Sequence, residues 1–140
     1  MSLLVNVSAV AIGGRGVLIE GPPGSGKSSL ALALIDRGAA LIGDDGLTLA
    51  KTGERLIAGA PPNVEGLLEV RNVGLLTYPV AQNVPLCLIL RLDPAAPRFV
   101  DAPERVTIDG VTLPLIRLWP DSPALPLRAE AALRCWGLDA

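Results

Sequence analysis

The run Gly21-Pro22-Pro23-Gly24-Ser25-Gly26-Lys27-Ser28 is a full match to G-x-x-x-x-G-K-[ST], the pattern of a loop that cradles nucleotide phosphates. Its chemistry follows from its residue types. Glycines let the backbone wrap tightly round an anion, with successive N–H groups pointing inward. Lys27 would reach the β- and γ-phosphates, and the Ser28 hydroxyl would ligate Mg²⁺. Pro22 and Pro23 have no N–H to donate and stiffen the entry, so the cradle runs mainly from Gly24 through Ser29.

Two further groups stand at spacings that could serve such a loop. Asp44-Asp45 follows the apolar run Ala39-Ala40-Leu41-Ile42-Gly43. Carboxylates at a strand end beside a phosphate loop can hold Mg²⁺, directly or through water, or take a proton from an attacking hydroxyl. Asp-Asp-Gly is also turn chemistry in its own right, and spacing alone does not choose between the two. Glu69 and Arg71 lie in Leu67–Leu76, where a strand would project both to one side. From the pattern alone they read as an exposed ion pair.

The elements that must position these residues are legible. Gly16–Glu20 is a short buried strand, and Ser29–Arg37 is made of good helix formers ending at Gly38, so the loop has its strand–loop–helix setting. The dipole of that helix adds to the attraction for an anion. Leu3–Ile12 reads as one strand that turns at Gly13-Gly14 to pair with the loop's own strand. Leu47–Ala50 and Arg55–Ala58 form a hairpin, Ala60–Asn63 an exposed loop, and Val84–Leu92 the strongest later strand. Pro94, Pro97 and Pro103 mark a loop. Asp109-Gly110 makes a hairpin of the runs on either side, which Leu115–Trp119 extends, and Leu127–Trp136 closes the chain as a helix.

Composition narrows the function classes. The chain has 140 residues, of which 50% are hydrophobic, 19% charged and 3% aromatic. That is one domain over residues 1–140, with a Leu, Val, Ile and Ala core. A net charge of −2 and the few aromatics argue against nucleic acid and anionic membrane as partners. Histidine is absent and the two cysteines, Cys87 and Cys135, lack zinc-ligand spacing. No secretory leader or bilayer-length apolar run is read, which points to a cytoplasmic protein.

Gly16–Ser28, then Ala31, Leu34, Ile35, Gly38, Ala39, Leu41, Asp44 and Asp45, resembles the HPr kinase/phosphorylase family. Leu68-Glu69-Val70-Arg71-Asn72-Val73-Gly74-Leu75-Leu76 resembles its second signature, Glu-x-Arg-Gly-x-Gly. The resemblance covers about residues 4 to 77 well and is to the short, catalytic-domain-only alphaproteobacterial type. It implies a compact α/β P-loop kinase domain with a mixed β-sheet, akin to the nucleotide domain of phosphoenolpyruvate carboxykinase. The activity implied is ATP- and Mg²⁺-dependent phosphorylation of a serine of HPr, the phosphocarrier of the sugar phosphotransferase system. Phosphorolysis of phosphoserine-HPr, releasing pyrophosphate, is implied for many members, and hexamers are known in the family. By position, Gly21 to Ser29 would bind the nucleotide, Asp44 would take the serine proton, Ser28 and Asp45 would hold the metal, and Glu69 and Arg71 would serve dephosphorylation.

The sequence departs from that pattern at three places. Asn6 stands where the family has a histidine, Ser29 replaces the usual acidic residue, and Asn72 replaces a glycine. The Arg-rich C-terminal loop of longer members is not evident. Loss of the histidine predicts kinase activity with weakened phosphorolysis. Two other classes stay open: a nucleotide-binding regulator with impaired catalysis, and a P-loop kinase for a small metabolite.

Overall fold

A computed structural model describes residues 1–120 and 122–140. Its strands are β1 (Ser2–Val5), β2 (Ser8–Ile12), β3 (Arg15–Glu20), β4 (Ala40–Gly43), β5 (Gly46–Thr52), β6 (Arg55–Gly59), β7 (Leu67–Val70), β8 (Gly74–Thr77), β9 (Val84–Leu92), β10 (Glu104–Ile108) and β11 (Val111–Leu118). The helices are α1 (Lys27–Asp36) and α2 (Leu125–Trp136).

The main sheet runs β1-β5-β6-β9-β3-β2-β4, so the ninth strand in sequence lies between the sixth and the third. β9 is shared along its length. Its start pairs antiparallel with β6 through Ile57 and Ala58, whereas Ile89–Leu92 pairs parallel with β11. It also runs parallel to β3. The sheet is therefore mixed, as the resemblance implies.

Strand alternation explains the two sides of the core. On β3, Val17 and Ile19 face α1 and α2, packing with Leu30, Leu34, Leu88, Leu90, Ala129 and Leu133. Leu18 points the other way, into a second cluster with Leu47, Leu49, Leu56, Leu86, Leu113 and Leu115. The helices cover one face, and the curled β5–β6 and β10–β11 hairpins supply the apolar cover of the other. Gly16 lets β3 lie close against the start of β9, since a Cβ there would sit 2.8 Å from the Pro85 carbonyl oxygen. Cys87 is buried within β9 and Cys135 is exposed on α2.

Two expected strands are divided. Leu3–Ile12 breaks at Asn6, whose φ of 60° lies in the left-handed region that asparagine tolerates. β1 then pairs with β5 and β2 with β3. Leu67–Leu76 is likewise a hairpin, β7 with β8, turned at Arg71-Asn72-Val73. Asn72 has φ 70°, which accounts for asparagine serving where the signature has glycine. Arg71 thus stands in the turn rather than the strand. Among the described residues it forms no ion pair with Glu69, so the expected exposed pair is not made. The other expected hairpins form, and at Asp109-Gly110 both residues take positive φ, as a type I′ turn requires.

Candidate active site

The glycine loop leaves β3 at its carboxyl end and enters α1 through Gly26, whose φ of 99° is readily available only without a Cβ. Gly26 caps α1 without any side-chain hydrogen bond, and no acidic residue sits in the first turn. The first N–H groups of the helix therefore face the cleft without a side-chain partner, at the positive end of its dipole. A Cβ at Gly21 would meet Ser25 Oγ at 2.7 Å and Leu92 at 3.2 Å, so the loop closes tightly only with glycine there. The Ser25 hydroxyl is buried without a hydrogen-bond partner, an unsatisfied group that a phosphate oxygen would satisfy. Lys27 Nζ donates to the Gly21 carbonyl at 2.8 Å and to that of Pro22 at 3.3 Å, folding the ammonium over the loop.

Asp44 is the hub of the site. The end of β4 delivers it beside the start of α1, where Oδ1 accepts the Ser28 hydroxyl at 2.7 Å. The same oxygen accepts the Ser8 hydroxyl at 2.8 Å. Oδ2 accepts the backbone N–H of Glu69 at 3.3 Å. One carboxylate thus ties together β2, β4, α1 and β7. Asp45 follows with φ 61°, its carbonyl accepting the Asn6 N–H at 3.1 Å and its side chain exposed.

A cleft of about 230 Å³ brings together Pro23 to Ser29, Asn6, Ser8, Asp44, Asp45, Glu69 and Arg71. Gly21 and Pro22 line a neighbouring cleft instead, and reach this one through the carbonyls that hold Lys27. Asp44, Asp45 and Glu69 outnumber Lys27 and Arg71 on its walls, so a polyphosphate entering needs a cation to balance it. No group of three or more acidic, cysteine or histidine side chains forms a metal cage among the described residues. Mg²⁺ binds through one or two protein oxygens plus substrate phosphates rather than in an all-protein cage, and the Ser28 hydroxyl and the Asp44 and Asp45 carboxylates line this cleft. The residues present fit a Mg²⁺-nucleotide.

Ser8 escaped the reading of the sequence. It is 1% exposed, and its only signal is a lone hydroxyl inside an otherwise apolar strand. The Glu69 amide carries no side-chain signature at all. Asn6, by contrast, stands on the cleft wall where the family histidine was expected.

Fold and site together define a mixed α/β domain with a glycine-loop anion cradle facing a carboxylate hub. Residues 2–81 match the model of the HPr Serine kinase C-terminal domain, and the chain belongs to that family. It is 39% identical over 113 residues to the HPr kinase/phosphorylase of Bordetella pertussis, covering 75% of this chain and 36% of that protein. The HPr kinase/phosphorylase of Cupriavidus necator is 50% identical over 64 residues, 45% of this chain and 20% of its own length. The chain therefore spans about a third or less of these relatives. The structure of the HPr(Ser) kinase/phosphatase from Coxiella burnetii superposes with a TM-score of 0.84 at 29% identity, over 96% of this chain and 89% of that one. No helix among the described residues is long and apolar enough to cross a membrane.

Proposed function

We propose that this chain is an ATP- and Mg²⁺-dependent protein-serine kinase that phosphorylates an HPr-type phosphocarrier and so regulates the phosphotransferase system. The observation that carries this reading is the hydrogen bond between Asp44 and Ser28, made within a cleft that also gathers Glu69 and Arg71. It links the acidic pair to the phosphate loop, and both to the second signature.

Loop amides from Gly24 to Ser29 and the first turn of α1 hold the phosphates, and Lys27 leaves its carbonyl partners to reach the β- and γ-oxygens. Ser28, with Asp45 on the open rim, would hold Mg²⁺, which when bound would offset the negative charge of the nucleotide phosphates. Asp44 Oδ1 is committed to two hydroxyls, whereas Oδ2 has one long bond, so Oδ2 is the oxygen free to accept the proton of the incoming serine. As the serine Oγ–P bond forms, the bond from the γ-phosphorus to the ADP oxygen breaks and the proton passes to Asp44. Arg71, on its turn at the cleft mouth, faces the transferring phosphoryl group. Phosphorolysis would use the same groups: an oxygen of inorganic phosphate would bond to the phosphoserine phosphorus as the serine Oγ–P bond breaks, Asp44 would return the proton to the serine oxygen, and pyrophosphate would leave.

Transfer from γ-labelled ATP to a purified HPr-type phosphocarrier tests this. Seryl label is expected with the wild type and is lost in Asp44→Asn and Lys27→Ala. Label that persists in Asp44→Asn would remove the carboxylate from the proton-transfer step.

A further inference from the structure

The parallel strands β3, β9 and β11 end side by side. β3 runs into the glycine loop, β9 into Asp93–Ala96 and β11 into Trp119. Ligands of open α/β sheets lie beyond the carboxyl ends of such strands. Asp44 and Ser28 mark the reacting end of a bound polyphosphate, on the β2–β4 side of the loop. The opposite end of the ligand then leaves towards β9 and β11, two strand spacings or about 10 Å away.

That path is open and built. Gly21 and Pro22 share a cleft with Arg91, Asp93 and Arg117. Beyond Arg117 lies a cavity of about 150 Å³ containing Phe99, Trp119, Arg98 and Arg128. Arg117 is a fixed wall between them, held by Glu104 at 2.7 Å and Asp93 at 3.1 Å. The chain has four aromatic residues, and two of them stand in this cavity with their surfaces open. Phe99 is 78% exposed and Trp119 40%, so neither is there to fill the core. The indole N–H of Trp119 donates to the Ala96 carbonyl at 2.7 Å, and the Arg128 guanidinium sits 5.4 Å from its ring centre. The ring is oriented in advance. Aromatic and guanidinium faces are the surfaces on which a planar base stacks, and the arginine donors suit the acceptor nitrogens of a purine.

We infer that the Phe99–Trp119–Arg128 cavity takes the purine base of the nucleotide whose phosphates the glycine loop holds. The inference depends on the phosphate-cradle reading of Gly21–Ser29, and the test separates the two. Calorimetric titration with Mg²⁺ present compares ATP with inorganic tripolyphosphate, for wild type, Phe99→Ala, Arg128→Gln and Lys27→Ala. Phe99 and Arg128 are exposed, so their variants keep the fold. The expected result is ATP affinity roughly fivefold to tenfold lower in Phe99→Ala and Arg128→Gln, tripolyphosphate affinity unchanged in both, and both ligands weakened by Lys27→Ala. Unchanged ATP affinity in both cavity variants, with the wild type binding both ligands, would overturn the base site while leaving the phosphate cradle standing. Wild type that binds neither ligand would overturn the cradle and the inference with it. Unchanged ATP affinity with lost transfer to the phosphocarrier would make the patch a protein-docking surface, which also overturns the proposal.

Discussion

Ser8 offers the sharpest test of the carboxylate hub. Its hydroxyl is buried and donates at 2.8 Å to Asp44 Oδ1, an oxygen that Ser28 also serves. A hydrogen bond to a charged group is worth about 1.5–3 kcal/mol. Asp44 is only half-buried and keeps two other donors, which places Ser8→Ala near the bottom of that range, at about 1.5 kcal/mol. For a chain of this length that lowers the melting temperature by about 5 °C. The loss must also depend on the carboxylate. Denaturant unfolding of wild type, Ser8→Ala, Asp44→Ala and the double variant forms a cycle in which a coupling of about 1 kcal/mol is expected. Additivity to within about 0.3–0.5 kcal/mol would show that Ser8 does not hold Asp44, and would refute the reasoning.

Three further outcomes follow from the geometry. In Gly43→Ala the new Cβ would lie 2.5 Å from the Gly46 carbonyl oxygen and 2.9 Å from Leu47. A loss of about 1–3 kcal/mol, with weakened ATP binding as Asp44 shifts, is expected in urea unfolding and titration, and a neutral variant would contradict it. Asn6→His fits the backbone, because histidine also tolerates the left-handed region, and should raise pyrophosphate release from phosphoserine-HPr by about tenfold or more; a coupled pyrophosphate assay showing no gain would exclude Asn6 as the weak point. The hydrogen bond from Arg117 holds the Glu104 carboxyl below its ordinary 4.5. The Ala95 N–H, with Arg117 behind it, holds Asp93 below 3.8. Lowered carboxylates stabilise the fold above their unfolded values, and that contribution is lost as pH falls through the folded ones. The stability gap between wild type and Arg117→Gln, measured by urea unfolding, should therefore be widest at neutral pH and close below the carboxylate range; a gap constant with pH would refute the pairing.

Much of this was legible because its signals are local. The glycine loop, the Gly13-Gly14, Lys51–Glu54 and Asp109-Gly110 turns, the apolar run of β9 and the closing helix each announce themselves within a few residues. What stayed hidden rests on single asparagines or on distant pairing. Asn6 and Asn72 turn the chain with one left-handed residue each, inside runs whose hydrophobicity continues on both sides, so a corner and a hairpin both looked like unbroken strands. The Ser8 hydroxyl acquires meaning only when Asp44, 36 residues away, arrives beside it. Nothing in the local pattern of β9 says that it will lie against β3, where Val17 meets Leu88.

The position of β9 bears on how the chain comes to be folded at all. The family model's match ends at residue 81, three residues before β9 begins. A growing chain that has emerged that far owns the whole glycine loop, the acidic pair and the β7–β8 hairpin. Of the main sheet it has two separate fragments, β1-β5-β6 and β3-β2-β4, each with a bare edge where β9 belongs. Such edges are sites of mispairing until they are filled. The hallmark residues are thus translated before the strand that joins the two halves of the sheet, and β9 is the keystone of the sheet that positions them.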